Sequence, residues 1–249
     1  GRTESLPVDA GDDAGGEKVM AGTAVVRIMD RIAAVMRKQG LHPMTRGVRD
    51  LLDRGCRRGV SVVADGLTIS GSLKDRAFLY SLEQGRFEPS TVRTFREVIR
   101  PGMVVLDVGS YLGYYSLLAS RLVGPQGKVY SFEPNPGSFA FLGRNVVENR
   151  CPNVVTDSRA VSDRSGERDL YLNSEDVTRT SLFLRSGTGG RTRIVSTTID
   201  EAVGPLRVDL AKIDVEGAEL MVLEGMKKTI GNSPGMILFV EMNPSSLLE

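Results

Sequence analysis

Tryptophan is absent from this chain of 249 residues, histidine occurs once and cysteine twice. Two thiols, Cys56 and Cys151, cannot build a disulfide framework in a chain of this length. Neither sits in a Cys-x-x-Cys or Cys/His cluster, so the pattern implies the reducing cytosol and gives no zinc or redox motif. His42, the one histidine, stands beside Pro43 and reads as a helix-end or packed residue rather than a catalytic one. Charge of either sign is also lacking in excess: 32 Lys+Arg against 31 Asp+Glu leave +1. That balance excludes the basic footprint of a nucleic-acid or anionic-membrane binder. No run approaches the ~18 apolar residues of a membrane span. The stretch from Gly1 to Lys18, rich in Gly, Asp and Glu, lacks the apolar core of a secretory signal. Residues 1–17 are therefore read as a flexible leader.

A hydrophobic content of 41% is enough for one good-sized domain with an appendage. Val25, Ile28, Met29, Ile32, Val35 and Met36 recur at helical spacing, predicting a helix over 17–39 that Gly40 and Pro43 end. A second helix is expected over 45–58. Val60 to Ile69 alternates around Asp65-Gly66, a hairpin signal. Helices are expected over 75–85 and 90–99. Residues 18–100 thus read as a helical cap with a short hairpin, and 101–249 as the main domain.

From Met103 the rhythm becomes strand, glycine turn, helix, strand. Strands are expected over 103–109, 128–132, 153–161, 207–213 and 236–241, with helices over 113–122, 136–149 and 217–230. Short apolar strands alternating with helices predict right-handed βαβ units and a mainly parallel, Rossmann-like α/β sheet with helices on both faces. Between 165 and 203 the pattern is irregular. Strand-like alternation at 168–172 and 193–198 flanks Gly187-Thr-Gly-Gly190, which is read as a connector because no lysine follows it.

Three strand ends carry the chemistry. Asp107-Val-Gly-Ser-Tyr-Leu-Gly113 sets two glycines and an acid at the end of the first core strand. A pyrophosphate loop wants G-x-G-x-x-G and gains nothing from a carboxylate, whereas a ligand with cationic groups does. S-adenosylmethionine, with an ammonium and a sulfonium, suits this turn better than NAD. Glu133, followed by Pro134, ends the second strand, where a carboxylate can accept both hydroxyls of a ribose. Asp214, Glu216 and Glu219 crowd the end of the fourth, and the carboxyl-end rule places Asp214 near the reacting centre. For Glu216 a site role and a capping role stay open, and Glu219 reads as an early-helix acid favoured by the dipole.

VLDVGSYLGYYS, VYSFEPNP with Asn145 in the next helix, AVSD at 160–163 and LAKIDVEGAELMVLEGM together resemble the FkbM family of class I methyltransferases. Gly85-Arg-Phe-Glu88 resembles the segment that precedes the first core strand of that family. The resemblance covers about Glu83 to Asn243. It implies S-adenosylmethionine as cofactor, S-adenosylhomocysteine as product, and O-methylation of a sugar, polyketide or other specialised metabolite. It would set Asp107, Gly109, Ser110, Tyr111 and Gly113 around the methionine half, Glu133 with Pro134 at the ribose, and Ala160 and Val161 at the adenine. Glu88 would close over the cofactor and Asp214 would face methyl transfer. This chain departs from the family's usual alanine-asparagine pair in having Ser110-Tyr111 in the loop. The implied fold also has two more strands after Glu241, so a sheet short of its last one or two strands is expected.

Methyl transfer is an in-line displacement helped by a base, for which Asp214 comes first and Glu216 second. Mg²⁺ held by Asp214 and Glu241 is a lesser option, since no third ligand stands at diagnostic spacing. A partner is expected only in a small-molecule hydroxyl acceptor. The alternatives are a non-catalytic cofactor-binding or partner-binding protein on the same fold, and an NAD(P)-dependent oxidoreductase, which the missing G-x-G-x-x-G opposes.

Overall fold

The computed structural model describes residues 59–173, 180–182 and 188–241, together with residue 35. The leader and the helices expected over 17–39 and 45–58 lie outside the described residues, apart from Val35, which is helical and exposed. The described chain opens with a hairpin of β1 (Val60–Ala64) and β2 (Leu67–Gly71). Asp65 and Gly66 both take positive φ, as a tight hairpin turn requires. A capped 3-10 turn, Leu73–Asp75, leads into α1 (Arg76–Glu83), and α2 (Pro89–Val98) follows.

The main sheet is built from β3 (Val104–Val108), β4 (Lys128–Phe132), β5 (Val154–Asp157), β10 (Leu210–Ile213) and β11 (Ile237–Val240). All neighbours are parallel, in the order β11-β10-β3-β4-β5. The linking helices α3 (Tyr114–Val123) and α4 (Pro136–Glu148) cross between β3, β4 and β5. The strands are apolar because both faces are covered. Val105 and Leu210 pack with Leu117, Phe95 and the hairpin on one face; Leu106, Val108, Ala211 and Ile213 pack with Ile199, Val222 and Met226 on the other. Each large side chain so buried is worth roughly 1.5–3 kcal/mol. The same alternation sends Asp107 and Lys212 to the first face, beside α3.

A second sheet, in the order β6-β9-β7-β8, joins β6 (Ala160–Val161), β7 (Gly166–Asn173), β8 (Thr180–Ser181) and β9 (Thr188–Thr197). Three expectations are corrected here. The strand read over 153–161 is two strands in different sheets. Asp157 accepts from the Arg159 amide at 2.8 Å and pairs with its guanidinium at 2.6 Å, and the chain leaves one sheet for the other at that turn. Thr188–Gly190, read as part of a connector, belongs to β9 and pairs with β7. The helix read over 217–230 is two, α6 (Glu219–Glu224) and α7 (Lys227–Asn232). The chain leaves helical geometry at Met226, with φ -123°; at Gly225 before it a Cβ would lie 2.0 Å from the Ser162 carbonyl oxygen, so glycine lets that strand end pack close. Asp200, in α5 (Ile199–Val203), accepts from the amides of Lys228 and Thr229 at 3.1 and 2.8 Å and so starts α7 afresh.

Candidate active site

From β3 the chain proceeds to β4 on one side, and β10 joins on the other, so a crevice opens at their carboxyl ends. The loop after β3 is drawn over β4. The amides of Gly109 and Ser110 both donate to the Phe132 carbonyl, at 2.9 and 3.0 Å. Gly109 has φ 86°, and a Cβ on it would lie 1.8 Å from the Asp214 carbonyl oxygen. Glycine is therefore what lets the ends of β3 and β10 meet. Gly113, the N-cap of α3, lies away from the cavity wall and leaves room for Leu142 instead.

The crevice is a cavity of about 290 Å³. Glu88, Asp107, Gly109, Ser110, Tyr111, Glu133, Pro134, Ala160, Val161, Asp214 and Glu216 all line it. Among the described residues, three of the five non-glycine residues with positive φ, Glu88, Tyr111 and Glu216, are in that wall. Such backbone costs about 1–3 kcal/mol per residue and concentrates where function holds it in place.

Asp107 is 1% exposed. Its Oδ2 accepts from Ser116 at 2.5 Å, and Ser116 also pairs with Ser131 at 2.7 Å. Its Oδ1 is buried with no hydrogen-bond partner among the described residues. Burial pushes this carboxyl above the usual range, and Lys212 partly opposes that. Glu133 is equally buried and accepts from the amides of Tyr111 and Asn135, both at 2.8 Å. Burial raises it to about 7 in spite of those two bonds.

Opposite lies a second charged group around Asp214 and Lys212. Lys212, 6% exposed, donates to Asp214 Oδ2 at 2.7 Å and sits 4.7 Å from the centre of the Tyr115 ring. Burial opposes its charge, but Asp214 and Asp107 outweigh this and hold it above the usual lysine range. Tyr115 donates to Glu88 at 2.7 Å. One carboxylate oxygen each from Glu88, Asp214 and Glu241 lie within 4.8 Å of one another. Glu241 is lifted to about 7, by burial against the cavity wall and then by the charge of Asp214. Glu88 is the third acid that spacing alone did not supply for a cation. Lys212 already meets Asp214 with a positive charge.

Lys212 had a legible signal: a lysine inside the otherwise apolar strand Leu-Ala-Lys-Ile needs a buried partner. Phe78, Phe87, Tyr114 and Tyr115 also line the cavity and were not foreseen. Their rings meet edge to face, Phe78 with Phe87 at 4.9 Å and with Tyr111 at 5.0 Å. Tyr111 and Tyr114 donate to Asp75 and Asp65, which ties the hairpin region to the loop after β3. Leu170 and Leu182 come from the irregular second sheet and were likewise unassigned. Glu219 accepts from the Gly217 amide at 2.9 Å, so it shapes the loop after β10, while the Glu216 carbonyl accepts from Ser181 at 2.9 Å.

The family model described as "Methyltransferase FkbM domain" matches residues 107–247. That is more than half of the chain, and the chain belongs to this family. A relative from Haloferax volcanii, hexuronic acid methyltransferase AglP, is 30% identical over 156 residues, covering 61% of this chain and 62% of the relative. The 31-O-demethyl-FK506 methyltransferase FkbM of Streptomyces tacrolimicus is 46% identical over 72 residues, covering 29% of this chain and 27% of that protein. The chain thus spans under two thirds of the length of either relative. A solved S-adenosylmethionine-dependent methyltransferase from Aquifex aeolicus is 20% identical, with a TM-score of 0.35, covering 57% of this chain and 58% of that one. Among the described residues no helix is long and apolar enough to cross a membrane.

Proposed function

We propose that this member of the FkbM methyltransferase family binds S-adenosylmethionine in the cavity between β3 and β10 and methylates a hydroxyl of a small molecule. The carrying observation is Asp107. A buried carboxylate oxygen with no partner costs several kcal/mol unless a donor or cation comes to it. A ligand with an ammonium group supplies both. Around it, Glu88, Asp107, Asp214 and Glu241 face a single lysine, so the cavity favours a positive ligand. Glu133 still has lone pairs for two ribose hydroxyls after accepting two amides. Phe132, Ala160 and Val161 offer an apolar wall to a purine.

S-adenosylmethionine supplies, when bound, an electrophilic methyl group on a positive sulfur. The chain's own part is to hold an acceptor oxygen ~3–3.5 Å from that carbon, which is worth several kcal/mol. The two relatives are named for hexuronic acid and for 31-O-demethyl-FK506, and both names support a hydroxylated acceptor such as a sugar acid or a polyketide. Loss of the sulfonium charge weakens the product's attraction to the acids, which favours its release.

Calorimetric titration with S-adenosylmethionine and S-adenosylhomocysteine tests the reading, with Asp107→Ala and Glu133→Ala beside the parent chain. Micromolar binding lost in both variants is expected. An absence of binding by the folded chain would overturn the proposal. Binding without turnover on a panel of sugar acids and hydroxylated polyketides would instead favour a non-catalytic binding protein.

A further inference from the structure

The geometry points to Tyr111 as a positioning residue that latches the cap over the cofactor, its hydroxyl bond to Asp75 setting how long the ligand stays. This inference rests on the methyltransferase reading above and deepens it. Tyr111 holds its backbone at φ 51°, in the left-handed region that a bulky residue enters only at a cost. Such a conformation persists where other contacts hold it. Three contacts do so here. The Tyr111 amide donates to Glu133 Oε2 at 2.8 Å, a bond that any residue except proline could make from this position. The other two belong to the side chain, and both lead to the cap. The hydroxyl donates to Asp75, and the ring meets Phe78 edge to face at 5.0 Å.

Asp75 is buried and closes the 3-10 turn, its Oδ2 accepting from the Ser72 amide at 2.6 Å. Phe78, in the first turn of α1, meets Phe87 at 4.9 Å, and both rings line the cavity with Tyr111. A ligand in the cavity therefore lies between the sheet edge and this aromatic row. The end of β2 is packed on the same loop: a Cβ on Gly71 would lie 2.7 Å from the Leu112 side chain. Tyr114 makes a similar tie to Asp65, but Asp65 also holds Arg96 at 2.6 Å and keeps that partner without it. Tyr111 alone of the two has the left-handed backbone, and it alone joins Glu133 to the inner wall of the cap. A ligand that fixes Glu133 thereby tightens the Asp75 turn, and by reciprocity the turn slows the departure of the ligand.

The test needs no acceptor. It compares the parent chain with Tyr111→Phe, which removes only the hydroxyl, and with Tyr111→Asn, which removes hydroxyl and ring while easing the backbone strain. Association and dissociation of S-adenosylmethionine are followed by surface plasmon resonance on the immobilised full chain. Both variants are expected to release the ligand about tenfold faster, the size of one lost hydrogen bond to a charged group, with association unchanged or faster. An unchanged dissociation rate in either variant, or a loss of affinity carried by slower association, overturns the inference. Hydrogen exchange gives a second readout, which damage to the turn alone would not move. Saturating S-adenosylmethionine is expected to slow exchange across residues 72–78 of the parent chain, and to slow it less in Tyr111→Phe. Equal slowing in both, or none in the parent chain, overturns the inference. No binding of S-adenosylmethionine by the folded parent chain refutes the methyltransferase reading instead.

Discussion

Asn145 is the residue whose removal tests most directly how the cavity is held. It is wholly buried in α4 and makes three hydrogen bonds to backbone. Its Oδ1 accepts from the Ser70 amide at 2.9 Å, and its Nδ2 donates to the carbonyls of Ser70 at 3.0 Å and Leu112 at 2.8 Å. It thereby ties β2 and the loop after β3 to one helix. Asn145→Ala leaves one amide and two carbonyls unsatisfied in the interior. An orphaned buried group costs about 1–3 kcal/mol, and some relaxation toward water is expected, so the summed loss is about 3–5 kcal/mol. A domain of this size unfolds in urea with a slope near the top of the ~1–3 kcal/mol/M range, so the midpoint falls by about 1–1.5 M. Asn145→Asp keeps the Ser70 acceptor but loses both donors and buries a charge, and it is expected to be no better. Cofactor affinity falls as well, since Leu112 sits in the loop that carries Tyr111. A midpoint shift below about 0.3 M for Asn145→Ala would show that the network does not hold the hairpin, and the reasoning would fail.

Asp107→Asn keeps an acceptor for Ser116 but removes a buried charge; the chain unfolds at equal or higher urea, while S-adenosylmethionine binding weakens at least tenfold in calorimetry. Gly109→Ala drives a Cβ toward the Asp214 carbonyl and is expected to abolish measurable binding and to lower the melting temperature by several degrees. Glu133 is raised from 4.5 to about 7 in the fold, so the folded state holds a proton that the unfolded state releases between those values. Stability contributed by that proton is complete below pH 4.5 and is lost as the pH climbs through 7. The parent chain should therefore lose ground to Glu133→Gln between pH 5 and pH 8 in parallel urea titrations, and a constant gap would refute this. Lys212→Met strands the Asp214 charge and should cost about 3–5 kcal/mol in the same assay.

Much of the lining of the cavity was legible because each of these parts is a local event. Asp107, Gly109 and Ser110 lie together in one turn, Glu133 and Pro134 end the next strand, and Ala160-Val161 is one short strand. A parallel sheet then brings all strand ends to one edge, so correct strands suffice to assemble them. Boundaries went astray where a distant contact decided them. A helix ends beside Gly225, where Ser162 packs close against the glycine, and Asp157 turns the chain by binding Arg159. No periodicity records either.

What the sequence determined by itself was the alternation of apolar strands and helices, hence the sheet, and the placing of acids at its carboxyl edge. Only the tertiary structure decided which of those acids meet. Glu88, Asp214 and Glu241 come from three segments far apart in the chain, and Lys212 singles out one of them. Charge coupling depends on distances of a few ångströms and on burial, and both are properties of the packed chain rather than of residue order.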